Sequence, residues 1–159
     1  MLIKKISLLF LSFLIIGKMY AQKTTKTKST AYININIDLV YKDKDGNDLL
    51  DSNNTVHFST KDITVYNIEK GEKVKVNKLK MDYPNNHFMY RDDATSTNHL
   101  RVFLEAETVL LQLNATTTDK IKSEIKKTKG NTHLVKVWYN GKLVWEFGKD
   151  TSQVITIIK

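Results

Sequence analysis

Asp43, Asp45 and Asp48 crowd around Gly46, with Asp51 just beyond, and clustered carboxylate oxygens of this kind suit a hard cation such as calcium. The register of a twelve-residue calcium loop is not kept. With Asp43 as first ligand the glycine falls at loop position 4 instead of 6, and with Gly46 at position 6 the first and twelfth positions are Tyr41 and Ser52, neither a carboxylate. Asp, Asn and Gly are also the residues of tight turns, so a polar turn is expected here and no metal is assigned.

Other catalytic patterns fare no better. The four histidines, His57, His87, His99 and His133, are scattered with none two or four residues from another, so no local zinc signature exists. The chain has no cysteine, which excludes disulfides, thiolate metal sites and thiol nucleophiles. It contains no G-x-S-x-G elbow, no glycine-rich phosphate loop among its six glycines and no dinucleotide fingerprint, so no cofactor is expected. Asp92 with Asp93, and Glu105 with Glu107, would serve as an acid and base only across a cleft of about 5 to 9.5 Å. As sequence neighbours they read as turn or edge residues, and no catalytic residue is assigned. Lys120, Lys122, Lys126, Lys127 and Lys129 form the densest basic stretch, with no aromatic residue interleaved as single-strand nucleic-acid binding would prefer. A solvated strand face whose lysines discourage edge pairing is the expectation, and no nucleic acid is assigned as partner.

The elements that carry these residues are strands. Ile33, Ile35, Ile37, Leu39 and Tyr41 recur at every second position, the period that turns one side of a strand toward a core. Further runs at residues 62–68, 72–79, 86–91, 98–104 and 107–113 keep the short spacing of an antiparallel sandwich. Glu69-Lys70-Gly71 is expected to turn between the first two of these runs, and Pro84 lies in a polar turn, where a missing amide donor does least harm. Residues 118–128 fit both a strand and a thin helix face, because Ile121 and Ile125 are four apart; a strand with lysines outward is preferred.

The run from His133 to Phe147 places Asn140-Gly141 between two apolar stretches, the strongest short hairpin signal. A regular two-residue turn would set Tyr139 opposite Lys142, Trp138 opposite Leu143, Val137 opposite Val144 and Lys136 opposite Trp145. Leu134, Trp138, Leu143, Trp145 and Phe147 would then share one side with Lys136, either as a sugar-stacking platform or, as expected of aromatics at strand spacing, as half of the core. Val135, Val137, Tyr139 and Val144 would form the wetter side.

Asp45-Gly46-Asn47-Asp48-Leu49-Leu50, Asp82-Tyr83-Pro84 and Lys136-Val137-Trp138-Tyr139-Asn140-Gly141-Lys142-Leu143-Val144-Trp145 together resemble a group of small exported β-sandwich proteins of the Bacteroidota type, often lipoproteins. The resemblance implies shared architecture over residues 31–159 and carries no catalytic residue across. The lipid-attachment cysteine of that group is missing here.

Residues 1–21 follow the layout of a secretory signal peptide, with Lys4 and Lys5 ahead of a 12-residue apolar run from Ile6 to Gly17, shorter than the roughly 20 residues of a spanning helix. Cleavage is expected after Ala21. The segment takes away three lysines and no acid, so the charge of +8 falls to +5. Residues 22–30 have no apolar side chain and read as a flexible polar tail. The expected protein is therefore exported, periplasmic or secreted, with no membrane span once the signal is removed. Residues 31–159 should form a single all-β domain, an immunoglobulin-like or similar antiparallel β-sandwich of about 8 to 9 strands. The expected function is a non-catalytic binding or structural module whose partner is a protein or glycan of the cell envelope, using loops 42–61, 80–86 or 91–98. The alternatives are a hydrolase of envelope polymers with a site assembled in space and a calcium-dependent adhesive domain.

Overall fold

The structure is a computed structural model that describes residues 32–76 and 86–159. The expected signal peptide, the polar tail, the end of the 72–79 run and all but the last residue of the 80–86 loop, Pro84 included, lie outside the described residues.

Among the described residues, eleven strands form two sheets: β1 (Tyr32–Asn34), β2 (Asn36–Lys42), β3 (Thr64–Glu69), β4 (Glu72–Lys75), β5 (His87–Asp92), β6 (Thr97–Phe103), β7 (Thr108–Gln112), β8 (Thr118–Thr128), β9 (Asn131–Tyr139), β10 (Lys142–Glu146) and β11 (Val154–Ile158). A seven-stranded sheet runs β1-β9-β8-β7-β3-β4, with β10 also paired to β9, and a four-stranded sheet runs β11-β2-β6-β5. Alternation supplies the core between them. Ile37, Leu39 and Tyr41 of β2 and Leu100 and Val102 of β6 meet Val109 and Leu111 of β7, Ile121 of β8 and Leu134 and Val137 of β9 in one buried cluster. Residues 118–128 are a strand throughout, with Lys120 and Lys122 exposed and Asp119, Ile121 and Ser123 buried.

The all-β sandwich-like architecture is as expected, with two differences of detail. The strand count is higher because the alternating run at 32–41 is broken at Ile35, whose carbonyl accepts the Leu104 amide at 2.8 Å. The chain changes sheets there, so β1 pairs with β9 while β2 pairs with β6 and β11. The short run Val154 to Ile158 also becomes a strand. Two pairings, β1 with β9 and β11 with β2, are parallel and the others antiparallel. Periodicity carries no information about which distant strand a run will join, so it could not anticipate them.

The Asn140-Gly141 hairpin forms with both residues at positive φ, 49° and 86°, as a type I′ turn requires. Its expected register holds for Tyr139 with Lys142 and Trp138 with Leu143, then slips, pairing Trp145 with Val137 and Glu146 with Lys136. Val144 is the extra residue of a bulge. A second slip on β9 leaves Val135 without a partner on β8, because Glu124 faces Lys136 and Ile125 faces Leu134. The expected faces are corrected accordingly. Leu134, Val137, Tyr139 and Trp145 are core, while Leu143 and Phe147 are exposed and Trp138 is half-buried. Lys136 pairs with Glu146 at 3.7 Å.

A polar knot closes the core between the sheets. The Tyr139 hydroxyl donates to Asp119 Oδ2 and lies 3.1 Å from the Tyr41 hydroxyl, while Asn140 Nδ2 donates to Asp119 Oδ1 at 2.9 Å. Lys159 Nζ, just beyond β11, donates to both Asp119 oxygens at 2.6 and 2.7 Å. Burial pushes the Tyr41 and Tyr139 hydroxyls far above the ordinary tyrosine range, and the Asp119 charge adds to the shift. A tyrosine whose folded pKa is raised stabilises the fold below its unfolded value of about 10, and that contribution is lost as pH climbs above it. Chemical unfolding between pH 8 and 11.5 should therefore show stability falling above about pH 10. Tyr41→Phe should start lower by about 1 kcal/mol for its lost hydrogen bond and fall less steeply, whereas equal slopes would contradict the assignment.

Candidate functional site

The bulge at Val144 turns Trp145 inward beside an open groove at the β1, β9 and β10 edge. Parallel pairing sets Tyr32 against Asn131 and Asn34 against His133, so one side of β1 and β9 forms one wall. The other wall is the turn after β10. There Glu146 accepts the Lys149 and Asp150 amides at 3.2 and 3.1 Å, Asp150 Oδ2 accepts the Glu146 amide at 2.6 Å, and Gly148 supplies a positive φ of 81°. Lys149 Nζ reaches Glu146 Oε2 at 2.7 Å and holds that carboxyl below the usual carboxylate range. The turn is thus tied from both ends.

The groove encloses about 550 Å³, within the size of small-ligand sites, and its lining includes Tyr32, Asn34, His133, Trp145, Phe147 and Asp150. Phe147 and Tyr32 are 62% and 58% exposed, unusual for large aromatic side chains. The His133 ring leans on Phe147 with centroids 5.3 Å apart. Trp145 is 4% exposed, and its buried indole N–H has no hydrogen-bond partner. A buried donor in that condition costs about 1–3 kcal/mol.

The residues singled out in the sequence are placed elsewhere. Asp43 Oδ1 accepts the Asp45 and Asn47 amides at 2.9 and 2.8 Å and its Oδ2 accepts Asn47 Nδ2 at 2.8 Å, which holds its carboxyl below the usual range. Asp48 Oδ1 accepts the Leu50 amide at 2.8 Å, while its Oδ2 accepts the amide and the side chain of Asn98, both at 2.9 Å. Asp45 is an exposed turn residue. These carboxylates fasten loop 42–61 to itself and to β6, and its Leu49 and Leu50 are buried in the core. Among the described residues no three His, Asp or Glu side chains converge as a metal site would require. Glu107 pairs with Lys122 at 3.1 Å, and Asp92 accepts the Ala94 amide and the Thr95 hydroxyl at 3.1 and 2.7 Å in the 91–98 turn.

One histidine does meet carboxylates, on the outer side of the four-stranded sheet. Arg101 grips Asp38 bidentately at 2.7 Å through both nitrogens, and the Tyr90 hydroxyl donates to Asp38 Oδ2 at 2.9 Å. His99 Nδ1 lies 3.3 Å from that hydroxyl, and its Nε2 is 4.0 Å from Asp92. Burial and the Asp38 bond push the Tyr90 hydroxyl up, and the same carboxylate raises Arg101. These groups spend their donors and acceptors on one another.

Sequence reasoning missed the groove because it expected Tyr32 to begin an uninterrupted strand and Trp145 to lie in a regular hairpin. Consecutive apolar residues at Leu143, Val144 and Trp145 were the available sign of a bulge. Compared with protein-family models, with curated proteins and with solved structures, the chain finds no match.

With their oxygens already engaged, Asp43 and Asp48 should not recruit calcium. The melting temperature is expected to be the same in millimolar calcium and in chelator, and a rise of several degrees with calcium would contradict this.

Proposed function

We propose that the protein is a non-catalytic binding module, exported to the periplasm or the medium, that holds an envelope glycan in the groove between Tyr32, His133, Trp145 and Phe147. The observation that carries the reading is a groove of about 550 Å³ whose rim exposes two aromatic rings, Tyr32 and Phe147. A sugar offers an apolar ring face for Phe147 and Tyr32 and hydroxyl groups for the polar side chains of the walls. Asn34 and Asp150 add polar groups to the walls. Export is supported by the layout of residues 1–21.

The test is a titration of the purified protein with glycan fractions of the envelope, read by calorimetry and by tryptophan fluorescence. Phe147→Ala should weaken binding by about tenfold, as loss of an aromatic ring that stacks on the ligand does, while leaving the melting temperature nearly unchanged because the side chain is mostly exposed. Equal affinity of Phe147→Ala and wild type would refute the groove as the site. Turnover of the glycan, abolished in His133→Ala, would replace this reading with the hydrolase.

A further inference from the structure

The outer side of the seven-stranded sheet carries a feature that no single strand shows. Across the strands, Lys75 faces Tyr66, Tyr66 faces Leu110 and Leu110 faces Lys120. One step along, Lys73 faces Ile68, and Thr108 faces Lys122, which in turn faces Trp138. These positions alternate with the buried Val65, Val109, Leu111 and Ile121, which places them all on the solvent side. Lysines thus sit at the corners of a rectangle about three strand spacings wide, about 14 Å, and two residues deep, about 7 Å. Its floor is Tyr66, Ile68, Leu110 and Thr108.

The lysines are poised for a ligand. Lys75 and Lys120 make no ion pair among the described residues, and Lys122 shares only Glu107, at 3.1 Å. Lys73 Nζ lies 3.8 Å above the Tyr66 ring, which fixes its charge over the floor without neutralising it. The floor side chains and Trp138 are all half-buried, flush between the lysine stems. Side chains set so cannot reach into a bilayer. A half-buried floor of Tyr66, Ile68, Leu110 and Thr108, with the Lys73 ammonium over Tyr66 and three more lysines at its corners, matches a chain of sugar rings that bears carboxylates at intervals.

We infer that this face is a second binding site, independent of the groove, and that its ligand is an acidic polysaccharide lying across β4, β3, β7 and β8. The site is assembled only by strand pairing: the aromatic and apolar partners of Lys120 and Lys122 come from β3, β7 and β9.

The experiment is affinity electrophoresis of the purified protein in gels containing polygalacturonate or neutral dextran, at about 50 and 300 mM salt. Retention by polygalacturonate alone, weakened at high salt, is expected. The double variant Lys75→Gln/Lys120→Gln should lose about tenfold in affinity and show a shallower salt dependence, with its melting temperature unchanged because both side chains are exposed. Phe147→Ala should bind polygalacturonate as wild type does, which separates this site from the groove. Retention of the double variant equal to wild type would overturn the inference. So would flotation with phosphatidylglycerol vesicles, or a shift of a single-stranded oligonucleotide, as strong as the retention by polygalacturonate.

Discussion

Two single-residue slips, at Val135 in β9 and Val144 in β10, decide which side of the seven-stranded sheet each aromatic of the hairpin occupies. Side chains alternate along a strand, so an extra residue returns the following positions to the other side. Without the slip at Val144, Trp145 would face Lys136 and join Trp138 on the outer side. With it, Trp145 enters the core beside the groove and Trp138 stays beside Lys122. Both proposed binding surfaces inherit their composition from that choice. The groove gains the Trp145 ring in its lining, and the lysine-framed face keeps an aromatic neighbour.

The same economy of placement governs the polar interior. Asp119 is 2% exposed, and a carboxylate so far from water is tolerable only when its oxygens are fully engaged. Tyr139, Asn140 and Lys159 do this from the hairpin and from the end of β11, and Tyr41 joins through the Tyr139 hydroxyl. The result ties β2 of one sheet to β8 and β9 of the other. Asp38, gripped by Arg101 and Tyr90 on the outer side of the smaller sheet, is treated the same way. The chain thus holds its sandwich with a hydrocarbon core and two satisfied carboxylates, in a sequence that has no cysteine for cross-links.

Much of this was legible in the sequence. Most described strands showed as alternating or β-rich runs, and Asn140-Gly141 marked its turn without ambiguity. What could not be read was pairing over distance. The switch of sheets at Ile35 and the parallel docking of β11 depend on partners more than sixty residues away. The lysines of β8 looked unaccompanied because their aromatic and apolar neighbours lie on other strands. Leu134-Val135 and Leu143-Val144-Trp145 did break the alternation, but a break alone does not say which residue bulges.

The register of the hairpin is therefore the place to test the account. Backbone proton cross-peaks between β9 and β10, measured by NMR on the purified protein, report cross-strand neighbours directly. The account requires Trp145 opposite Val137 and Glu146 opposite Lys136. Cross-peaks placing Val144 opposite Val137 and Trp145 opposite Lys136 would show a regular hairpin, turn Trp145 to solvent and remove the basis of the groove.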